Sequence, residues 1–207
     1  MGRYTGPVGR ISRRLGEGIS PKGDRILKRR PYPPGQHGHT DKRQKAPSAY
    51  GLQLMEKQKA RYTYGLMEKQ FRNVFQEAER KTGVTGDVLL SLLERRLDNV
   101  VYRLGLAKSR AAARQLVSHR HITVNGSILN IPSARVKVGD VISVRAESRK
   151  CGFYKELMQN GQLLQHRPPD WIRFEPSHVS ATILANPERE HAEPNINAQT
   201  IVEFYSR

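Results

Sequence analysis

Leu93-Glu94-Arg95-Arg96-Leu97-Asp98-Asn99-Val100-Val101-Tyr102-Arg103-Leu104-Gly105, with the Lys108-Ser109-Arg110 that follows, is the stretch that decides the fold. Leu93, Leu97, Val100, Val101 and Leu104 recur at three- and four-residue steps, which puts them on one face of a helix. Arg96, Asn99 and Arg103 share another face at the same steps. Gly105 closes that helix, and Ser109 is placed to cap a second one running from Arg110 to about His119. In the second helix Ala112, Ala113, Leu116 and Val117 face inward, while Arg110 and Arg114 project outward. His121-Ile122-Thr123-Val124 then reads as a strand and Asn125-Gly126 as a tight turn. Arg135-Val136-Lys137-Val138 alternates as a strand does, and Gly139-Asp140 marks a turn before Val141-Ile142-Ser143-Val144. Two short helices with basic outer faces and a small hairpin make a platform that holds guanidinium groups at set separations. Arginine suits such a platform, because its planar fork bonds two phosphate oxygens at once.

The charge of the whole chain points the same way. Its 207 residues carry 36 Lys or Arg against 19 Asp or Glu, a formal charge of +17. A surplus that large repels itself in a free monomer and calls for a polyanion. Nucleic acid is the default partner, since each neutralised phosphate releases counterions. An anionic membrane is the rival, but no long apolar run, lipidation signal or secretory leader is visible. A cytoplasmic protein without a membrane partner is the expectation.

The surplus is uneven. Residues 1–46 hold twelve cations and three acids, residues 47–92 seven and five, residues 93–150 twelve and four, and residues 151–207 five and seven. Two stretches therefore carry nearly all of it, whereas a merely solvated surface would mix its signs. The first stretch is rich in Gly and Pro and poor in apolar periodicity, with Arg13-Arg14, Lys28-Arg29-Arg30 and Lys42-Arg43 spread along it. It reads as an arm that orders on its partner rather than as a packed domain. Pro33-Pro34-Gly35-Gln36-His37-Gly38 is a turn-rich knot within it. His37 and His39 alone are a weak metal signal, so backbone or phosphate contacts are the preferred reading.

Residues 50–92 read as helices: Met55, Tyr62 and Leu66, then Phe71, Val74, Phe75 and Ala78, recur at helical steps, with a break at Gly65. Thr85 is the expected cap of the next helix. Cys151, the one cysteine, can form no intramolecular disulfide and receives no role.

Several segments carry a resemblance. Arg95 to Arg103, Ala113-Arg114-Gln115-Leu116-Val117-Ser118-His119 and Ile122-Thr123-Val124-Asn125-Gly126 look like the alpha-L RNA-binding motif. Beyond it, Arg3-Tyr4-Thr5-Gly6-Pro7, Pro34-Gly35-Gln36-His37-Gly38, Glu56-Lys57-Gln58-Lys59, Tyr64-Gly65, Gln70-Phe71-Arg72 and Ile201-Val202-Glu203-Phe204-Tyr205-Ser206 resemble the family of the fourth small-subunit ribosomal protein of bacteria and organelles. The resemblance implies an early binder of small-subunit rRNA that nucleates the subunit body at a five-way helical junction. It also implies a place beside the channel through which mRNA enters. The fifth and third small-subunit proteins are the implied neighbours, and decoding accuracy is influenced through the fifth. Some members hold zinc through four N-terminal cysteines; this chain has none before Cys151 and resembles the zinc-free form, so no metal or cofactor is expected.

On this reading the RNA-binding residues are Arg3, Tyr4, Arg10, Arg13, Arg14, Gln36, His37 and Lys45 in the arm, and Lys57, Lys59 and Arg72 in the helices. In the motif they are Arg96, Arg103, Lys108, Ser109, Arg110, Arg114, Gln115, His119, Arg120 and Asn125. The fold class is α+β: a basic arm over 1–46, a helical domain over 47–92 onto which 195–207 return, and an alpha-L domain with a small antiparallel sheet over 93–187. A pseudouridine synthase is the enzymatic rival, since Arg96-Leu97-Asp98 imitates its catalytic loop. Here the tripeptide runs on into helix as Asn99-Val100-Val101, and Asp98 reads as a partner of Arg95 or a surface group. An RNA chaperone with the same motif would explain the charge but not the other matching segments. No catalytic site is expected.

Overall fold

The computed structural model describes residues 2–39, 46–152, 154–155, 166–177 and 179–206. In chain order the helices are α1 (Val8–Leu15), α2 (Pro21–Arg29), α3 (Ala49–Thr63), α4 (Glu68–Glu79), α5 (Thr85–Glu94), α6 (Leu97–Arg103), α7 (Arg110–Ser118) and α8 (Ala198–Tyr205). The strands are β1 (Ile122–Val124), β2 (Ser127–Ile128), β3 (Val141–Val144), β4 (Ile172–Glu175) and β5 (Ser180–Ile183), an α+β composition. The chain forms two compact units, Met1–Leu89 with Glu193–Arg207, and Leu90–Ala192.

In the first unit, residues 8–15 and 21–29 are helical, within the stretch the sequence suggested as an arm that orders on its partner. Ser20 starts α2, its hydroxyl accepting from the Gly23 N–H at 3.1 Å, and Pro21 occupies the first helical position. The two helices touch through small residues: a Cβ on Gly9 would lie 2.4 Å from Ile26 Cδ1, and one on Gly23 would lie 2.2 Å from Ser12 Oγ. Contacts of that kind leave no apolar stripe in the sequence. The chain leaves α3 through Gly65, whose φ is 66°; the Gly65 N–H donates to the Tyr62 carbonyl and the Leu66 N–H to that of Arg61. That pair of bonds satisfies the last carbonyls of α3 and buries Leu66. Phe71, Val74, Phe75 and Ala78 form the buried face of α4.

Helix α8 completes this unit. Asn197 caps it, Ile201 is fully buried, and the Tyr205 ring stacks on Phe75 with centroids 4.5 Å apart. Gln53 of α3 donates to the Glu203 carboxylate at 3.1 Å.

The second unit packs α6 and α7 with a five-stranded antiparallel sheet of order β2-β1-β3-β5-β4. Burial alternates along β3 and β5, the two-residue period of a sheet covered on one face. Ile142, Val144, Ala181 and Ile183 meet Leu97, Val100, Val101, Ala113 and Val117 in one core. Asn125 and Gly126, with φ of 50° and 80°, turn the chain between β1 and β2.

Three local expectations change. The helix read across Leu93 to Leu104 is two, broken at Arg95-Arg96. Arg135–Val138 is no strand; its backbone is spent elsewhere, with the Val136 N–H donating to the Arg95 carbonyl at 2.9 Å. Helix α5 begins at Thr85, and the carbonyl that accepts from the Val88 N–H belongs to Val84. Strands β4 and β5 flank Pro176-Ser177 and have no counterpart in the strands expected from the sequence.

Candidate nucleic-acid interface

The break between α5 and α6 organises the second unit. The N–H groups of Leu97 and Asp98 donate to the carbonyls of Ala134 and Pro132, at 2.8 and 3.1 Å, instead of continuing α5. The chain bends at Arg96, and the 132–136 segment satisfies the open start of α6. Across the bend, the Asn99 amide nitrogen donates to the Glu94 carbonyl at 3.0 Å and to the Glu94 carboxylate at 2.7 Å.

Two buried carboxylates result. Glu94, with no solvent exposure, accepts from Arg103 through Nε at 3.0 Å and through a terminal nitrogen at 2.8 Å. Arg103 also donates to the His191 carbonyl. Asp98 takes a two-pronged contact from Arg96 at 3.1 and 2.7 Å, a third from Arg114 at 3.4 Å, and the Asn99 N–H at 3.0 Å. Its partner is thus Arg96, not Arg95, whose Nε donates to the Val136 carbonyl. Arg110 donates from Nε to Asn99 Oδ1 at 2.8 Å, and its guanidinium lies 4.5 Å from the Tyr102 ring centroid.

Burial divides the expected contact set. Arg96 and Arg114 are buried on Asp98 and act as scaffold. Helix α7 starts with Ser109, whose hydroxyl caps it by accepting from the Ala112 N–H, and the face it leaves exposed carries Ala111, Gln115 and Ser118 rather than Arg114. Asn125 locks the hairpin, donating to Asp140 and accepting from the Val141 N–H, both at 2.9 Å. Lys108, Gln115, His119 and Arg120 are exposed, and Arg103 and Arg110 are partly so. His121, beside them, bonds Ser148 Oγ at 2.9 Å. Burial, then the charges of His119 and Arg145, push its pKa down and favour the neutral ring.

In the first unit, Lys57 and Lys59 are buried and serve as scaffold. Lys57 meets Glu68 at 2.8 Å; Lys59 meets Glu56, Glu17 and the Asn195 carbonyl within 2.9 Å, tying the α1–α2 link, α3 and the C-terminal segment together. Burial alone would lower the Lys59 pKa, but the bonds and charges of Glu56 and Glu17 outweigh it and raise it. Arg13 clamps the Pro-rich knot, donating to the carbonyls of Tyr32 and Pro33 at 2.8 and 3.0 Å and lying over the Tyr32 ring. Gly38 is required there, since a Cβ would stand 1.9 Å from the Pro33 carbonyl oxygen. Arg3, Tyr4, Arg10, Arg14, Gln36, His37 and Arg72 are exposed, and the edge of the Tyr4 ring meets Tyr62. Lys42, Arg43, Lys45 and the His39 side chain lie outside the described residues. Among the described residues no group of three or more His, Cys, Asp or Glu is arranged to hold a metal ion.

Sequence reasoning passed over Glu94 and Tyr102 and gave Asn99 no role. A helix break hides the partnership, because the five and nine positions from Glu94 to Asn99 and Arg103 match no single-helix spacing.

Residues 3–94 match the ribosomal protein S4/S9 N-terminal domain and residues 95–142 match the S4 domain, with the junction at the α5–α6 break. The small ribosomal subunit protein uS4 of Roseiflexus castenholzii is 61% identical over 207 residues, covering both chains in full. The uS4 proteins of Chloroflexus aurantiacus and Parabacteroides distasonis are 58% and 54% identical, again over the full length of both. The chain belongs to the uS4 family of small ribosomal subunit proteins. It is a ribosomal protein and not an enzyme. No helix among the described residues is long and apolar enough to cross a membrane.

Replacing Arg96 or Arg114 with Ala leaves Asp98 short of a buried partner. Each change should lower unfolding stability in urea by about 3–5 kcal/mol, the usual range for a broken buried pair, with Arg96 the larger. A loss below about 1 kcal/mol for both, typical of exposed pairs, would show that Asp98 is solvated.

Glu68 yields a pH prediction. Burial raises its pKa, but the Lys57 bond and charge, the Tyr205 hydroxyl and the Arg61 charge outweigh that and hold it below the ordinary value. A depressed carboxyl stabilises the fold above its unfolded pKa and loses that contribution as pH falls through the folded one. The stability gap between the wild type and Glu68→Gln, followed by amide exchange in α3 and α8, should therefore narrow on acidification; a gap constant from pH 7 to pH 3 contradicts it.

Proposed function

We propose that this protein binds small-subunit rRNA directly, early in assembly, and nucleates the subunit body at a multi-helix junction. It sits beside the channel through which mRNA enters, next to the fifth and third small-subunit proteins, and influences translational accuracy through the fifth. The observation that carries the RNA-binding part is the placement of exposed cations on two separate units. Arg3, Arg10, Arg14 and Arg72 belong to the first, and Lys108 and Arg120, with the partly exposed Arg110, to the second, with Gln115, His119, Gln36, His37 and Tyr4 as polar or stacking groups among them.

Each surface alone offers phosphate contacts with little sequence information. Two such surfaces on one chain make binding bivalent: once one unit holds RNA, the other meets its target at high effective concentration, provided the RNA presents both at the right separation. A junction of several helices meets that condition and an isolated helix does not. The assembly role, the neighbours and the accuracy effect rest on the family resemblance.

Lys108→Ala and Arg14→Ala should each weaken binding to an rRNA junction fragment. Each should reduce the slope of log affinity against log salt by roughly one unit or less, and leave the melting temperature unchanged. Unchanged slopes for both would put the RNA face elsewhere.

A further inference from the structure

Arg110 is held in a way that an arginine serving only as a surface charge does not need. Its Nε–H is bonded to Asn99 Oδ1 at 2.8 Å, its guanidinium rests on the Tyr102 ring, and its backbone begins α7 directly after the Ser109 cap. The orientation of Asn99 is fixed in turn. Its amide nitrogen bonds both the carbonyl and the carboxylate of Glu94, so its oxygen faces Arg110. Glu94 is itself anchored by Arg103. The run Glu94–Asn99–Arg110 therefore leads from a fully buried carboxylate to a partly exposed guanidinium through one side chain that is 2% exposed. A carboxamide suits the middle position because it donates at one end and accepts at the other. Aspartate there would set two carboxylates face to face, and an aliphatic residue would leave the Arg110 Nε without this acceptor.

We infer that Asn99 is a positioning residue for RNA binding: it touches no RNA, but it fixes the Arg110 guanidinium before RNA arrives. The gain is entropic. A long arginine side chain loses rotamer freedom when it grips a phosphate, and a guanidinium already fixed by a bond and a ring has less to lose. The inference rests on Arg110 being an RNA contact. The competing role for Asn99 is purely structural, closing the end of α5 through the Glu94 carbonyl.

A double-mutant cycle on in vitro transcribed small-subunit rRNA separates the two. Asn99→Ser should weaken binding by roughly two- to tenfold, the ordering cost of one long side chain. The salt slope should stay constant, because no cation is lost. In an Arg110→Ala background the same change should have no effect. An equal loss in both backgrounds would make Asn99 a structural cap and overturn the inference. If Arg110→Ala itself leaves affinity and salt slope unchanged, the RNA-contact reading beneath it fails first and takes the inference with it. Should Asn99→Ser fold poorly, Tyr102→Leu takes its place in the cycle, as it keeps an apolar side chain against the core and removes the ring under the guanidinium. In the unaltered free protein, nitrogen-15 relaxation should find the Arg110 Nε–H as ordered as the backbone; a freely moving Nε–H overturns the inference without any variant.

Discussion

Burial of the two carboxylates Glu94 and Asp98 inside a strongly basic unit is the constraint on which the remaining geometry depends. A carboxylate removed from water loses several kcal/mol of solvation unless charged donors replace the water. Here they are replaced fully: Glu94 by Arg103 and Asn99, Asp98 by Arg96, Arg114 and the Asn99 N–H. Meeting that demand bends the chain between α5 and α6, since one straight helix would not bring Asn99 back onto the Glu94 carbonyl. Such pairs add little net stability over a well-packed apolar core, but they tolerate few alternative arrangements of the six residues, and so fix how α5, α6 and α7 meet.

A protein of charge +17 faces a particular difficulty: its arginines repel one another until RNA binds. The second unit resolves this by dividing them. Arg96 and Arg114 are neutralised internally and hold the scaffold, Arg103 braces Glu94, and the exposed cations at Lys108 and Arg120 stand at the ends of α7. Arg110 stands between the two groups, tied inward by Nε and resting on an aromatic face. The first unit follows the same rule, with Lys57, Lys59 and Arg13 committed to carboxylates or carbonyls and Arg10, Arg14 and Arg72 exposed. In both units the internal cations sit where elements must be joined.

Much of this was legible in the sequence, for definable reasons. The 3.6-residue period placed α4 and the apolar face of α6, though not the break before it, Ser109 and Asn125-Gly126 marked a cap and a turn, and the charge distribution pointed to RNA. The motif segments pointed to the ribosomal family, which full-length identity establishes. Hidden were the features that depend on where a side chain ends rather than where its residue falls. Helical spacing puts Arg114 on an outer face, yet its long stem carries the guanidinium back to Asp98. Helices α1 and α2 escaped notice because Gly9, Ser12 and Gly23 hold them by close approach, which hydrophobic periodicity does not register.

The division between scaffold and RNA-contacting arginines is tested most directly by arginine-selective dicarbonyl footprinting with mass spectrometry, on the free protein and on its complex with small-subunit rRNA. The account predicts that Arg14 and Arg120 react in the free protein and are protected by RNA, while Arg96 and Arg114 stay unreactive in both states. Rapid modification of Arg96 and Arg114 in the free protein, with protection on RNA binding, would contradict it, for those two arginines would then belong to the RNA face and not to the carboxylates beneath it.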